Sequence, residues 1–116
     1  MYAFGLLAMG FQPVTAGTAA EAFGRACTCH PDVVVADVTL PGGSGLDLTR
    51  QLRQDARTKD TAIIVLTGQG GASVKREAAD AGCDRLLLKP CMPDALAVEI
   101  RDVLVARHSP SAERVP

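Results

Sequence analysis

Two apolar runs, "VVVAD" at residues 33–37 and "IIVLT" at residues 63–67, constrain the chain most. Neither alternates polar with apolar residues, and both are rich in β-branched side chains. A strand with one wet face alternates; a continuous run is what a strand needs when both faces are covered. Between and around them the pattern changes to helical spacing. Leu46, Thr49, Leu52 and Arg53 recur at the helical period after the first run, and "SVKREAADAG" follows the second. Strands buried on both faces and separated by helices form parallel sheets sandwiched between helical layers.

The remaining elements follow from local signals. "PVTA" at residues 13–16 reads as a short strand. Thr18 opens T-A-A-E, a capping box in which Thr18 and Glu21 satisfy orphan amides, and predicts a helix to about Cys27. Gly82 closes the helix that contains "SVKREAADA", "RLLL" at residues 85–88 is a last strand, and Pro93 starts a long final helix whose buried stripe is Leu96, Ile100, Val103 and Leu104. The apolar start, residues 1–10, is too short to span a bilayer and lacks a basic leader, so it reads as a buried helix ended by Gly10. The expected domain is residues 1–108, with 109–116 a polar tail or the start of a linker.

A chain of 116 residues supports one core, and 47% hydrophobic with 22% charged residues is ordinary for a folded domain. Net charge is −1 with the signs interspersed, which argues against direct nucleic-acid binding and against a membrane surface. The four cysteines, Cys27, Cys29, Cys83 and Cys91, make no C-x-x-C pair; "CTCH" lacks a distant second half, so free thiols in a reducing cytoplasm is the reading.

Loops and helix N-termini converge at the carboxyl edge of a parallel sheet. There this chain places Asp37, Thr67 and Lys89, one at the end of each predicted strand. A carboxylate can attack phosphorus, a hydroxyl can bond phosphoryl oxygens and an ammonium can neutralise their charge, so the trio suits phosphoryl transfer. Each alone is commonplace, as a turn former, a strand former or a solvated lysine.

"VVVADVTLPGGSGLDL", "IIVLTG" and "AGCDRLLLKP" together resemble the receiver domain of two-component response regulators, over about residues 1–106. The resemblance implies a flavodoxin-like (CheY-like) α/β fold: a doubly wound parallel sheet in three α/β/α layers. It implies that Asp37 is the phosphoacceptor, Thr67 the hydroxyl that follows the phosphoryl group, Lys89 its partner, and Pro90 the residue after a cis peptide. Thr39 occupies the position whose backbone carbonyl helps Asp37 bind Mg2+, and the glycines of "LPGGSG" release the chain into the next helix. The implied partners are a histidine kinase or phosphotransfer protein and a downstream effector, in the cytoplasm.

Two departures stand out. Receivers open with a strand ending in two acids that hold the metal, and no such strand is legible here; Glu21 caps a helix and Asp32 precedes a strand at the opposite edge. With the first strand missing, Mg2+ is expected to bind weakly or not at all. The central strand would lose a neighbour, to be replaced by direct pairing of its flanks, by a strand from a second chain as in a homodimer, or by residues of a longer native chain shortened here. Secondly, Leu86 stands where receivers carry a switching Tyr or Phe. A degenerate receiver acting through protein contacts without phosphorylation is therefore the main alternative. Aspartyl-phosphate hydrolases need a second acid where Thr39 stands. "TGQGGAS" carries part of a dinucleotide fingerprint but lacks its confirming acid, and reads as a strand-to-helix turn.

Overall fold

The computed structural model describes residues 5–9, 12–40, 43–68, 70–89 and 93–107. Continuous burial decides the centre of the molecule. Strands β3 (Val33–Asp37) and β6 (Ala62–Thr67) are buried at every position, and they pair in parallel from Val33↔Ala62 to Asp37↔Leu66. Strand β7 (Arg85–Leu88) joins the far side of β6, again in parallel, with Thr67 opposite Leu88. The carboxyl ends of three strands therefore lie in register at one edge.

The start of the chain departs from its reading. Residues 1–10 were expected to be a helix; instead Gly5–Met9 is strand β1, paired antiparallel with β2 (Gln12–Ala16). Strand β1 also pairs antiparallel with β3, from Gly5↔Ala36 to Ala8↔Val33, giving the sheet order β2-β1-β3-β6-β7. The slot beside the central strand, expected to lack its strand, is filled by this hairpin. Its physical reason is pairing: without β1, the main-chain groups of Val33–Ala36 on that side would have no ladder partner, at about 1–3 kcal/mol for each one buried. A ten-residue helix has no comparable claim, since short isolated helices are marginal. The sheet is thus mixed, and the strand vacancy that favoured a homodimer is gone. Gly10, expected as a helix terminator, lies outside the described residues.

Helices cover both faces. Helix α1 (Ala19–Cys29), α2 (Gly45–Gln54) and α3 (Ala72–Ala81) lie on one face, where Ala22, Ala26, Leu48, Leu52 and Ala78 share a core with Val34, Ala36, Ile63 and Val65. Helix α4 (Pro93–Arg107) covers the other, setting Leu96 and Val103 against Val33, Val35, Ile64 and Leu66. Ile100 and Leu104 complete its stripe as expected, half-buried against the same core. Each fully buried Leu or Ile contributes about 1.5–3 kcal/mol through burial, so alternate residues of β3 and β6 serve two cores at once.

Local signals fix the helix starts. The Thr18 hydroxyl accepts from the Glu21 amide at 3.1 Å, as the capping box predicts, while the Glu21 carboxylate accepts from the Gly17 amide at 2.7 Å and pairs with Arg25 at 2.9 Å. Helix α1 runs two residues past the expected Cys27 and stops where His30 turns left-handed (φ 53°). Gly82, also left-handed at φ 99°, closes α3 as read. Arg53 ties the lower ends together: its guanidinium donates to the carbonyls of Gly82 and Lys59 and to Asp84, whose carboxylate also accepts from the Ile63 amide at 2.7 Å.

Candidate functional site

The β3 end puts Asp37 almost out of solvent, at 3% exposure, because it continues a strand buried on both sides. The turn beyond β7 brings Lys89 to it: the ammonium nitrogen lies 3.3 Å from Asp37 Oδ2. Two main-chain bonds fix this approach. The Lys89 amide donates to the Thr67 carbonyl at 2.7 Å, and the Val38 amide donates to the Leu66 carbonyl at 2.7 Å. The three residues singled out from sequence, 30 and 22 positions apart in the chain, thus stand at adjoining strand ends.

The second carboxylate oxygen, Asp37 Oδ1, is buried with no hydrogen-bond partner. Burial pushes the Asp37 carboxyl above its ordinary range, and the hydrogen bond and charge of Lys89 oppose that shift without cancelling it. Beside this pair opens a cleft of about 600 Å³, with Thr39, Thr67 and Lys89 in its walls. Thr39 belongs to a two-residue ribbon in which β4 (Thr39–Leu40) pairs with β5 (Gly43–Ser44), and Ser44 caps α2 by accepting from the amides of Leu46 and Asp47 at 3.1 Å. Pro41 and Pro90 lie outside the described residues.

One residue of the site was hidden in a glycine cluster read as a turn. A Cβ on Gly45 would overlap the Asp37 carbonyl oxygen and stand 2.9 Å from its carbon, while the Gly45 amide donates to Val38 at 2.8 Å. Helix α2 can begin against the Asp37 main chain only because position 45 has no side chain. Ser73 and Glu77, on α3, also line the cleft and were not singled out. Leu86 is half-buried and packs against the core beneath α1, α2 and α3.

A divalent ion needs several oxygen ligands. Asp37 Oδ1 is a ready acceptor, but among the described residues no three acidic, His or Cys side chains converge. Strand β1 brings Gly5 alongside Ala36 at this edge, and Glu21 is engaged by Gly17 and Arg25. The described side chains therefore do not form a closed metal site. Cys27 is a buried free thiol, and Cys29 and Cys83 are half-buried free thiols; Cys91 lies outside the described residues. Among the described residues no helix is long and apolar enough to cross a membrane.

Comparison with known proteins agrees with this architecture. The phosphate regulon transcriptional regulatory protein PhoB of Klebsiella pneumoniae is 35% identical over 112 residues, covering 97% of this chain and 48% of that protein. The transcriptional regulatory protein KdpE of Mycobacterium tuberculosis is 36% identical over 108 residues, covering 93% and 46%. The chain spans about half the length of the curated relatives it matches. Among solved structures, chemotaxis response regulator CheY4 of Vibrio cholerae superposes with TM-score 0.75 at 29% identity, covering 81% of this chain and 78% of that one. A LuxR-family two-component response regulator of Aurantimonas sp. SI85-9A1 gives TM-score 0.74 at 32%, covering 84% and 69%. Receiver domains are signalling domains, generally not enzymes; they bind Mg2+ and interact with histidine kinases and effectors. The family described as "Response regulator receiver domain" matches residues 5–101, and with three aligned strand ends bearing Asp37, Thr67 and Lys89 the chain belongs to it.

Proposed function

We propose that Asp37 accepts a phosphoryl group from a histidine kinase or phosphotransfer protein and that an effector protein reads the result. The observation that carries this is the 3.3 Å approach of Lys89 to a carboxylate whose other oxygen has no partner, at the edge where Thr67 also ends its strand. In the transfer, an Asp37 oxygen bonds to phosphorus as the bond from phosphorus to the donor histidine nitrogen breaks, and the proton needed by that nitrogen comes from the donor protein or water. Lys89 offsets charge on the phosphoryl oxygens and Thr67 offers its hydroxyl to them. Hydrolysis of the acyl phosphate would return Asp37 to its carboxylate, as self-catalysed loss of signal.

In receiver domains a bound Mg2+ supplies charge neutralisation for this step. Here Asp37 and the Thr39 carbonyl are the groups that would hold it. With one carboxylate the ion would be bound weakly, and transfer slowed. That same shortage favours the second reading, a receiver that binds partners without phosphorylation; Leu86, half-buried against the core where an aromatic switch would be, points the same way. Either reading places the protein in the cytoplasm, with no role for this segment in gripping nucleic acid or membrane.

Incubation with acetyl phosphate and Mg2+ tests the choice. Intact mass should rise by about 80 Da, the weight of one phosphoryl group, and the gain should vanish in Asp37→Asn. No gain in the parent protein rejects phosphoacceptance and leaves the contact-only reading.

A further inference from the structure

Thr49 is fully buried, on the core side of α2 with Leu46, Leu48 and Leu52. An apolar side chain would suit that position without the cost of drying a hydroxyl. The hydroxyl is satisfied inside its own helix, where it donates to the Gly45 carbonyl, four residues back, at 2.7 Å. Threonine can do this because a common helical rotamer carries Oγ1 over the preceding turn, and such a bond bends the helix where it forms.

Gly45 is also the residue that meets the acceptor. Its amide donates to the Val38 carbonyl at 2.8 Å, and its lack of a side chain lets it lie against the Asp37 carbonyl. The Val38 amide in turn donates to Leu66 on β6 at 2.7 Å, and the Ser44 hydroxyl holds the next two amides of α2, those of Leu46 and Asp47, at 3.1 Å. The peptide between Asp37 and Val38 is therefore clamped between β6 and the first turn of α2. Any shift of that turn carries the Asp37 carboxylate with it. Lys89 is held separately, by its amide on the Thr67 carbonyl, so the 3.3 Å gap from its ammonium to Asp37 Oδ2 depends on where α2 begins.

We propose that Thr49 is a positioning residue for phosphoryl transfer: through the Gly45 carbonyl its hydroxyl sets the tilt of the first turn of α2, and so the place of the Asp37 carboxylate relative to Lys89. This role rests on the reading of Asp37 as phosphoacceptor. Buried in the core, Thr49 touches neither the donor nor the phosphoryl group and acts only through Gly45. Small shifts suffice, since misplacing a reacting atom by about 1 Å can slow such a step about a hundred-fold.

Two substitutions separate positioning from stability, because the two roles rank them in opposite orders. Thr49→Val keeps the shape and removes the hydroxyl; the Gly45 carbonyl retains its regular helical amide, no polar group is stranded, and the protein should melt at or above the parent. Thr49→Ser keeps the hydroxyl and deletes a buried methyl, so it should melt below the parent. Phosphorylation should run the other way. With acetyl phosphate and Mg2+, the rate of mass gain should fall about ten-fold or more in Thr49→Val and stay within about three-fold of the parent in Thr49→Ser. A parent-like rate in Thr49→Val, or rates that follow the melting temperatures, overturns the proposal. Hydrogen exchange supplies a readout that needs no phosphorylation: in Thr49→Val the Val38 and Gly45 amides should exchange about ten-fold faster while the Leu52 amide is unchanged, and Thr49→Ser should keep both protected. A parent protein that gains no mass rejects Asp37 as acceptor, and exchange then decides alone: selective loss at Val38 and Gly45 upholds the hold of Thr49 on the Asp37 main chain, and uniform or absent change overturns it.

Discussion

Gly45→Ala is the substitution whose effect the structure constrains most tightly. The added methyl would overlap the Asp37 carbonyl oxygen and press on its carbon at 2.9 Å. Both offending atoms are main chain, so no rotamer relieves the contact. Either the end of β3 or the start of α2 must move, by on the order of 1 Å in a close-packed interior. Asp37 is pinned through Val38, whose amide bonds Leu66, and α2 is pinned by Leu46, Leu48 and Leu52 in the core. Overpacking costs about 1–3 kcal/mol, and a clash between two fixed backbones belongs at the upper end, near 3. At roughly 4 °C per kcal/mol for a domain of this size, thermal unfolding followed by circular dichroism should fall by about 12 °C. Gly24→Ala provides the control: it is exposed in mid-α1 with nothing within 4 Å of its added Cβ, so helix propensity alone should raise the midpoint by ~4 °C, from about 1 kcal/mol. A Gly45→Ala midpoint within 3 °C or so of the parent would refute the steric reasoning.

Other perturbations probe separate features. Burial raises the Asp37 pKa on folding, so the carboxyl's contribution is most favourable below its unfolded pKa and is lost as pH rises through the folded value; Asp37→Asn should melt above the parent at neutral pH and level with it in strong acid, and an equal gap at both would contradict the burial argument. Arg53→Met removes a half-buried guanidinium from the carbonyls of Gly82 and Lys59 and from Asp84, and should lower unfolding free energy in urea by about 2 kcal/mol, discounted for partial exposure. Thr18→Ala deletes the α1 cap and should cost about 1 kcal/mol in the same assay, with loss of protection of the Glu21 amide in hydrogen exchange.

The parts legible in the sequence are those where local chemistry and tertiary need coincide. Strands β3 and β6 are continuous β-branched runs because both faces are covered, and nothing else suits such a run. Strand β7 and the α4 stripe obey the same logic on their own periods. Asp37 and Thr67 stand out because each ends a strand, and Lys89 because it follows one directly, at the edge where ligands gather. Strand β1 was illegible for a physical reason: "GLLAM" has no polar residue to reveal a period of 2 or 3.6, and its conformation is settled by the unpaired flank of β3, twenty-odd residues away. Gly45 was masked differently. A glycine in a turn and a glycine under a carbonyl look the same in one dimension, and only the path of α2 past Asp37 separates them. Thr18 was seen, but the partner of Glu21 proved to be the Gly17 amide, one residue before the cap, because the long side chain is also drawn to Arg25.

The direction of β1 has a practical corollary for anyone attaching labels. Since Gly5 lies level with Ala36, the described part of β1 begins at the sheet edge where Asp37 ends β3. Helix α4 starts after the β7 terminus and travels back toward the amino ends of the strands, so its last turn lies at the pole opposite Asp37. Fluorophores or affinity handles belong on that last turn if the Asp37 edge is to stay clear.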